Sequence, residues 1–295
     1  MKKNGFSGKM KWAVFVIPAL FFYILFFWVP FLNSVYYSFT DWNGVTANFI
    51  GLKNYIKLFH DPEILNAFGN SIFYTVAITL IQNVCGLILA LAVKKNCLKN
   101  SIMRTLIFMP YVFSSLAIGY IFRFIFEPNI GALNNILKSF GLEFLRQPWL
   151  SDPSLAKWVI VLVTVWQCAG YTMIINIAGL QGIPSDYYEA ARLDGASGWQ
   201  QFKYITYPLL APSTTINIIL CLIGNLQIYN QIFAITGGGP GYETESVAMT
   251  VYRLGFGTGG NRWGYGAAMS VIMFIVIMVL TVIVATMLRK REVEA

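Results

Sequence analysis

The longest polar break in the second half of this apolar sequence reads Glu189-Ala190-Ala191-Arg192-Leu193-Asp194-Gly195. Helix-forming residues here run into a glycine, and glycine tolerates the left-handed backbone geometry that closes many helices. Asp194 and Gly195 therefore predict the end of a short helix. Ala190 and Ala191 leave that helix with a nearly bare face, which another protein can approach closely.

The residues around this stretch predict two short helices with a hinge between them, over about 183–207. Pro184 suits the first turn of the first helix. The spacing of a capping box, in which two side chains cap one helix start, occurs twice. The pairs are Asp186 with Glu189 and Ser197 with Gln200. The second helix is predicted to run to Pro208, where the next apolar segment begins.

The composition indicates a membrane protein. The 295 residues are 57% hydrophobic and 12% charged, whereas soluble domains carry about 25% charged residues. The run from Ala13 to Leu32 is too long for the core of a signal peptide, and no small-residue cleavage site follows it. This run predicts a retained first span over about 13–37.

Five further apolar segments each have about the length that crosses 30 Å of hydrocarbon. The sequence therefore predicts an all-α polytopic membrane protein with six transmembrane helices in a single domain, residues 1–295. The predicted core spans cover residues 70–93, 105–126, 156–180, 208–232 and 266–288.

The basic residues are distributed as in a membrane protein rather than a nucleic-acid-binding protein. The net charge is +8, and 13 of the 21 Lys and Arg lie in four segments on one predicted side of the membrane. This excess predicts cytoplasmic termini and a cytoplasmic 183–207 loop. The four segments are the N-terminus with Lys2, Lys3, Lys9 and Lys11, residues 94–104, residues 181–207, and the C-terminus with Arg289, Lys290 and Arg291.

No catalytic or metal-binding set is recognisable. The four cysteines have no zinc or redox spacing, and the single His60, next to Asp61 in a polar loop, is interpreted as a solvated residue. The glycine-rich segment 237–241 lacks the Lys-Ser/Thr end of a phosphate-binding loop. We therefore predict no enzyme activity, no metal and no cofactor in this chain. A lipid-modifying transferase is disfavoured because the catalytic groups are missing.

Polar residues inside the predicted fourth and fifth spans are the candidates for substrate binding. Gln167 could hydrogen-bond a hydroxyl group, and Tyr171 could stack on a sugar ring. At about 100° per residue, five residues of the fifth span share one face. Such a face lines a water-filled path or bonds a neighbouring helix, and both readings stay open. The five are Thr214, Asn217, Cys221, Asn225 and Tyr229.

Ion-coupled carriers usually keep ionisable groups near the middle of the membrane. The predicted span interiors here contain none. An ion-coupled secondary carrier is therefore the weaker alternative, and the energy for transport is expected from a separate subunit.

The 189–208 segment resembles the EAA loop of ABC importer permeases. That pattern is Glu-Ala-Ala, three residues, Gly, nine residues, Ile, one residue, Leu-Pro, and the sequence departs from it only at Tyr207. Other short segments resemble sugar-type permeases related to the larger permease of the maltose transporter. They are Gly51-Leu52-Lys53-Asn54-Tyr55, Asp61-Pro62, Phe108-Met109-Pro110, Ala178-Gly179-Leu180-Gln181 and Gly238-Gly239-Pro240.

This resemblance implies a bacterial or archaeal cell-membrane permease that pairs with a second permease subunit. It also implies two cytoplasmic ATPase subunits, which bind ATP and Mg, and an extracytoplasmic solute-binding protein. Spans four and five would line a sugar cavity, with Asn225 on the sugar and Ile228 replacing a polar group of the maltose site. The ATPase-coupling residues would be Glu189, Ala190, Ala191, Arg192, Asp194 and Gly195.

The sequence thus predicts a permease subunit of an ATP-driven importer for a sugar or oligosaccharide. A glycerol-phosphate or polyol permease of the same kind is the alternative. Among predicted substrate contacts we name Gln167, Tyr171, Asn217, Asn225 and Tyr229.

The charge distribution makes a testable prediction about topology. Single-cysteine proteins carrying Cys97, Ala190→Cys or Val293→Cys should react with a membrane-impermeant maleimide only after the cells are opened. Labelling of position 190 in intact cells would reverse the predicted orientation.

Overall fold

A computed structural model describes residues 16–257 and 261–290. The lysines before residue 12, the first residues of the predicted 13–37 span, Arg291 and position 293 lie outside this part. The described helices are α1 (Val16–Tyr37), α2 (Lys53–Leu58), α3 (Pro62–Ala92), α4 (Leu98–Val112), α5 (Ser115–Ile125), α6 (Ala132–Ser139), α7 (Pro153–Gln181), α8 (Ser185–Leu193), α9 (Gly198–Leu209), α10 (Ala211–Leu226), α11 (Asn230–Ile235), α12 (Val247–Phe256) and α13 (Trp263–Arg289).

The predicted all-α fold is confirmed. Within the described ranges the extended structure amounts to one isolated bridge, between Thr40 and Phe49. Four helices, α1, α3, α7 and α13, are long and apolar enough to cross a membrane. Two bent pairs bring the number to as many as six, which is consistent with the predicted count.

Contacts within the chain group it into two units, residues 1–61 with 251–273 and residues 62–250 with 274–295. In the first unit, the loop after α1 packs on the start of α13, where the amide of Gly264 donates to the carbonyl oxygen of Trp42 over 2.9 Å. The buried Asn54 amide holds the same loop through the carbonyl oxygens of Ser38 and Thr40.

The second unit is built around α7, which packs against α3, α4 and α10. Asp152 starts α7 by accepting hydrogen bonds from the amides of Ser154 and Leu155. Hydrogen bonds to this exposed carboxylate, first that of the Ser154 hydroxyl, lower the pKa of Asp152. Farther along α7, a β-carbon at Gly170 would lie 2.3 Å from the carbonyl oxygen of Ile107. Only glycine therefore allows α4 to approach α7 this closely.

The predicted span over 105–126 is broken by a sharp bend. Helices α4 and α5 meet at a bend of 92°, because Phe113 has an extended backbone and Ser114 is not helical. Pro110 lies in the last turn of α4, where its missing N–H removes one helical hydrogen bond.

The predicted fifth span, 208–232, is also interrupted. Helix α9 reaches Leu209 and then bends by 63° into α10. Helix α10 ends at Leu226, and α11 starts at Asn230. By contrast, the predicted spans 156–180 and 266–288 agree with α7 and α13 to within three residues, whereas α3 begins eight residues before the predicted 70–93.

Gly170→Ala should destabilise the protein by about 1–3 kcal/mol, because the added methyl group overpacks the α4–α7 contact. Gly69→Ala is the matched control, since nothing lies within 4 Å of a β-carbon there. Alanine favours a helix over glycine by about 1 kcal/mol, so this variant should be neutral or stabilising. Thermal unfolding in detergent measures both, and equal melting temperatures would contradict the packing argument.

Candidate functional site

A cavity of about 360 Å³ opens in the second unit between α3, α4, α7 and α10. We call it the central cavity. No charged side chain lines it among the described residues. Its lining is rich in amide and hydroxyl groups, from Gln82, Tyr111, Ser115, Thr164, Tyr171, Asn225, Gln227, Tyr229, Asn230 and Gln231.

One wall of the central cavity is the break between α10 and α11. The chain leaves helical geometry at Gln227, and Tyr229 precedes the first residue of α11. The buried Ser246 hydroxyl donates to the carbonyl oxygen of Ile228 and so holds the middle of the break. Because the helix is interrupted here, the five consecutive residues 227–231 all line the cavity. In a continuous helix, consecutive residues would point in different directions around the helix axis.

The Ser246 segment is itself fixed by α3. The Asn70 amide donates to the carbonyl oxygens of Glu243 and Glu245, and the Tyr74 hydroxyl donates to that of Thr244. Glu245 is buried, with 1% of its surface exposed, and its carboxylate accepts from Thr250 over 2.8 Å. The sequence analysis missed this buried acid because it lies close to a glycine-rich turn.

Tyr171, a predicted sugar-stacking residue, lies in the central cavity. Its ring stacks on that of Tyr111, with centroids 4.8 Å apart and planes 17° from parallel. The two rings form a stacked pair across the α4–α7 contact. Sequence reasoning missed Tyr111, although its position directly after Pro110 was a signal for a helix end.

Gln167 does not line the cavity directly. Its amide nitrogen donates to the carbonyl oxygen of Phe113 and to the Ser115 hydroxyl. Its oxygen accepts from Gln231, which is a lining residue, over 3.3 Å. Gln167 therefore ties the α4–α5 bend to the wall after α10.

The two predicted asparagines of α10 have different surroundings. Asn225 lines the cavity, and its amide nitrogen donates to the Thr79 hydroxyl over 3.2 Å. Asn217 is fully buried, and its nitrogen lies 3.4 Å from the carbonyl oxygen of Thr172. Its own oxygen has no hydrogen-bond partner within the described residues. Tyr229 lines the cavity too, but it lies beyond the end of α10 and not on the predicted helical face.

Gln82 and Ser115 also line the cavity and were not predicted. Gln82 donates to the Thr172 hydroxyl over 2.8 Å and so joins α3 to α7. An amide in the middle of an apolar span was the available signal for Gln82. Ser115 follows the bend between α4 and α5, and nothing in the sequence around it indicated that it would line a cavity.

The predicted hinge loop forms a helix, a glycine turn and a second helix. Gly195 has φ +78°, and its amide donates to the carbonyl oxygen of Arg192. The amide of Ala196 donates to the carbonyl oxygen of Ala191. This pair of bonds is the Schellman motif, which closes α8. The predicted capping box of Ser197 and Gln200 is present at the start of α9.

The predicted capping box of Asp186 and Glu189 is wrong. Helix α8 begins at Ser185, and Pro184 occupies the cap position without a side-chain hydrogen bond. Asp186 is therefore already inside the first turn, where an acidic residue interacts favourably with the helix dipole.

Most of α8 is exposed. Glu189, Ala190, Arg192, Asp194 and Gly195 are exposed and Ala191 is half-buried, and 89% of the Leu193 surface is exposed. On the inner side, the hydroxyl groups of Tyr188 and Thr206 lie 3.0 Å apart and connect α8 to α9.

A groove of about 800 Å³ lies under α8 and reaches the ends of two spans. Glu189 and Arg192 line it from α8, and Trp199 lines it from α9. Leu91 of α3 and Leu180 of α7 form part of its opposite wall. The groove therefore separates α8 from the ends of α3 and α7, whereas the Tyr188–Thr206 contact joins α8 to α9.

A neutral polar cavity within a bundle of membrane-length helices is an arrangement for passing a solute, and the class of protein it defines is a transport permease. The chain belongs to the family of binding-protein-dependent transport system inner membrane components, whose sequence pattern matches residues 82–293.

Relatives extend over nearly the whole chain. A probable starch degradation products transport system permease protein, AmyD of Thermoanaerobacterium thermosulfurigenes, is 36% identical over 99% of both chains. The multiple sugar-binding transport system permease protein MsmF of Streptococcus mutans is 34% identical over 96% of both. The sn-glycerol-3-phosphate transport system permease protein UgpA of Agrobacterium fabrum is 31% identical over 99% of both.

A solved structure has the same fold. A bacterial ABC transporter involved in the import of the acidic polysaccharide alginate matches with a TM-score of 0.84 and 23% identity over 96% of both chains. Family and relatives together confirm the predicted resemblance: the chain is a permease of the ABC importer type.

Proposed function

We propose that this permease moves an uncharged sugar or oligosaccharide across the membrane through the central cavity. The observation that carries the proposal is the lining, which combines a stacked tyrosine pair with amides and hydroxyls and has no charged side chain among the described residues. Aromatic faces attract the C–H groups of a sugar ring, and amides bond its hydroxyls.

A glycerol phosphate substrate is the alternative, since UgpA is among the relatives. A phosphate group is usually held by arginine or lysine, whose hydrogen bonds to it are assisted by charge. The central cavity contributes amide and hydroxyl donors instead. This difference favours a neutral solute over a phosphate ester.

The proposed assembly contains a second permease subunit, two cytoplasmic ATPase subunits and an extracytoplasmic binding protein that delivers the sugar. One solved neighbour is an alginate transporter in complex with its oligosaccharide-bound periplasmic protein. In this proposal ATP and Mg are bound by the ATPase subunits, both termini are cytoplasmic, and membrane lipid surrounds the spans.

The proposed coupling site is the exposed part of α8. Its small residues, Ala190 and Ala191, permit close approach by an ATPase, and Leu193 presents an apolar side chain to it. Gly195 fixes the angle between α8 and α9. Because Tyr188 contacts Thr206 of α9, and α9 leads directly into α10, closure of the ATPase pair would move a helix that lines the central cavity.

A ligand screen against the copurifying binding protein would identify the solute, and uptake into proteoliposomes would test the function. Uptake should stop when the ATP site of the partner is mutated. Uptake that instead follows an imposed ion gradient would replace the importer with an ion-coupled carrier.

Asn225→Leu should reduce uptake of the screened sugar by about five- to a hundredfold, because an unpaired polar partner costs about 1–3 kcal/mol. Assembly with the ATPase and abundance in the membrane should be unchanged. Asn217→Leu, on the same helix but away from the lining, is the comparison. Normal uptake by the Asn225 variant would make that residue a packing residue, and loss in both would place Asn217 in the substrate path.

Gly195→Asp should abolish uptake and weaken copurification of the ATPase. A side chain at φ +78° costs about 1–2 kcal/mol and changes the angle between α8 and α9. Gly198→Asp adds the same charge at a helix start with open space around it, so it should retain both activities. Glu189→Ala should behave like Gly195→Asp. Full copurification and normal uptake in both would refute the coupling role.

A further inference from the structure

A second cavity, of about 450 Å³, lies entirely within the first unit, and nothing described so far uses it. We call it the aromatic cavity. Its lining comes from α1, from the loop after it, and from α12 and α13. The lining contains four aromatic rings together with small and polar residues. The rings are those of Tyr37, Trp42, Phe256 and Trp263.

The four rings form a continuous chain of contacts. Tyr37 and Trp42 stack with centroids 4.0 Å apart and planes 18° from parallel. Trp42 and Trp263 follow at 5.5 Å, and Trp263 meets Phe256 edge-on at 4.7 Å. Such offset and edge-on contacts are the favourable aromatic geometries.

The backbone fixes the positions of these rings. The amide of Trp42 donates to the Thr40 hydroxyl, which in turn donates to the carbonyl oxygen of Tyr37. The amide of Gly264, next to Trp263, donates to the carbonyl oxygen of Trp42. The ring surface is therefore ordered before any ligand arrives, which lowers the entropic cost of binding.

Polar side chains also line the aromatic cavity. Asn33 and Ser34 project from the apolar helix α1, and Ser270 projects from α13. Neither Asn33 nor Ser34 makes a side-chain hydrogen bond within the described residues. In a helix of membrane length, an amide such as that of Asn33 is stabilised by a hydrogen-bonding partner. A ligand with hydroxyl groups would supply one.

We propose that the aromatic cavity binds an uncharged pyranose ring. A pyranose presents C–H groups on its faces, which are attracted to the negative faces of aromatic rings, and hydroxyl groups at its rim. The cavity offers both surfaces, and no charged side chain lines it within the described ranges. This proposal does not depend on the central cavity or on its substrate.

The predicted topology places this cavity toward the extracytoplasmic end of α1. The sugar could come from two sources, a free oligosaccharide or the headgroup of a glycolipid in the outer leaflet. Both present the same ring, so the experiment contains an arm for each.

The test uses the complete transporter in phosphatidylcholine nanodiscs and saturation-transfer NMR with maltotriose, lactose and cellotriose. At least one sugar should bind saturably. Asn33→Leu should weaken that binding about three- to tenfold by removing one hydrogen-bonding group. Asn135→Leu, on exposed α6, should leave it unchanged.

A second variant tests the same cavity in case Asn33→Leu misfolds. A β-carbon at Gly255 would lie 3.9 Å from the Trp263 ring, an ordinary contact. Gly255→Ala should therefore fold normally, place a methyl group in the cavity and weaken binding. The glycolipid is tested separately, in nanodiscs that contain monoglucosyl diacylglycerol. The unsubstituted transporter should retain this lipid, and both variants should retain less of it.

Several results would overturn it. The first is that none of the three sugars binds saturably and no glycolipid is retained. The second is that binding is lost only in Asn225→Leu. The third is that binding is unchanged in both Asn33→Leu and Gly255→Ala. Displacement of the bound sugar by choline at equal concentration would also overturn it, because an aromatic cage for cations has that preference.

Discussion

The close approach of α4 to α7 at Gly170 is the contact on which the central cavity depends. Because the backbones meet there, Tyr111 on one helix and Tyr171 on the other stack across the junction. The Gln82 bond from α3 to Thr172 fixes the third wall. Membrane helices gain little from burying apolar surface against each other, so contacts of small residues and buried hydrogen bonds set their spacing.

The sequence predicted correctly those features that a single local effect decides. The length of the apolar segments predicted the bounds of α7 and α13 to within three residues. An apolar segment of this length in a membrane forms a helix, because the backbone hydrogen bonds must be made within the segment. The turn at Gly195 followed from backbone sterics alone. The capping box of Ser197 and Gln200 followed from a local hydrogen-bond pattern. Each of these features is decided by residues close together in the chain.

The breaks within the predicted spans come from features that distant residues decide, whereas the capping box of Asp186 and Glu189 was a local pattern that did not form. The 92° bend before α5 and the early end of α10 interrupt segments whose hydropathy is continuous. Bonds from Gln167 hold the first, and Ser246 holds the second, from 54 and 18 residues away. Periodicity on an assumed continuous helix therefore placed Tyr229 on the face of α10, and it could not find Ser115.

The uncharged lining of the central cavity has an electrical consequence. Moving one elementary charge through a membrane potential of 100 mV involves about 2.3 kcal/mol. A neutral solute that passes a neutral wall carries no charge across, so the potential neither drives nor opposes its entry. If the substrate is the neutral sugar proposed above, uptake by an ATP-driven importer would be equal in polarised and depolarised cells.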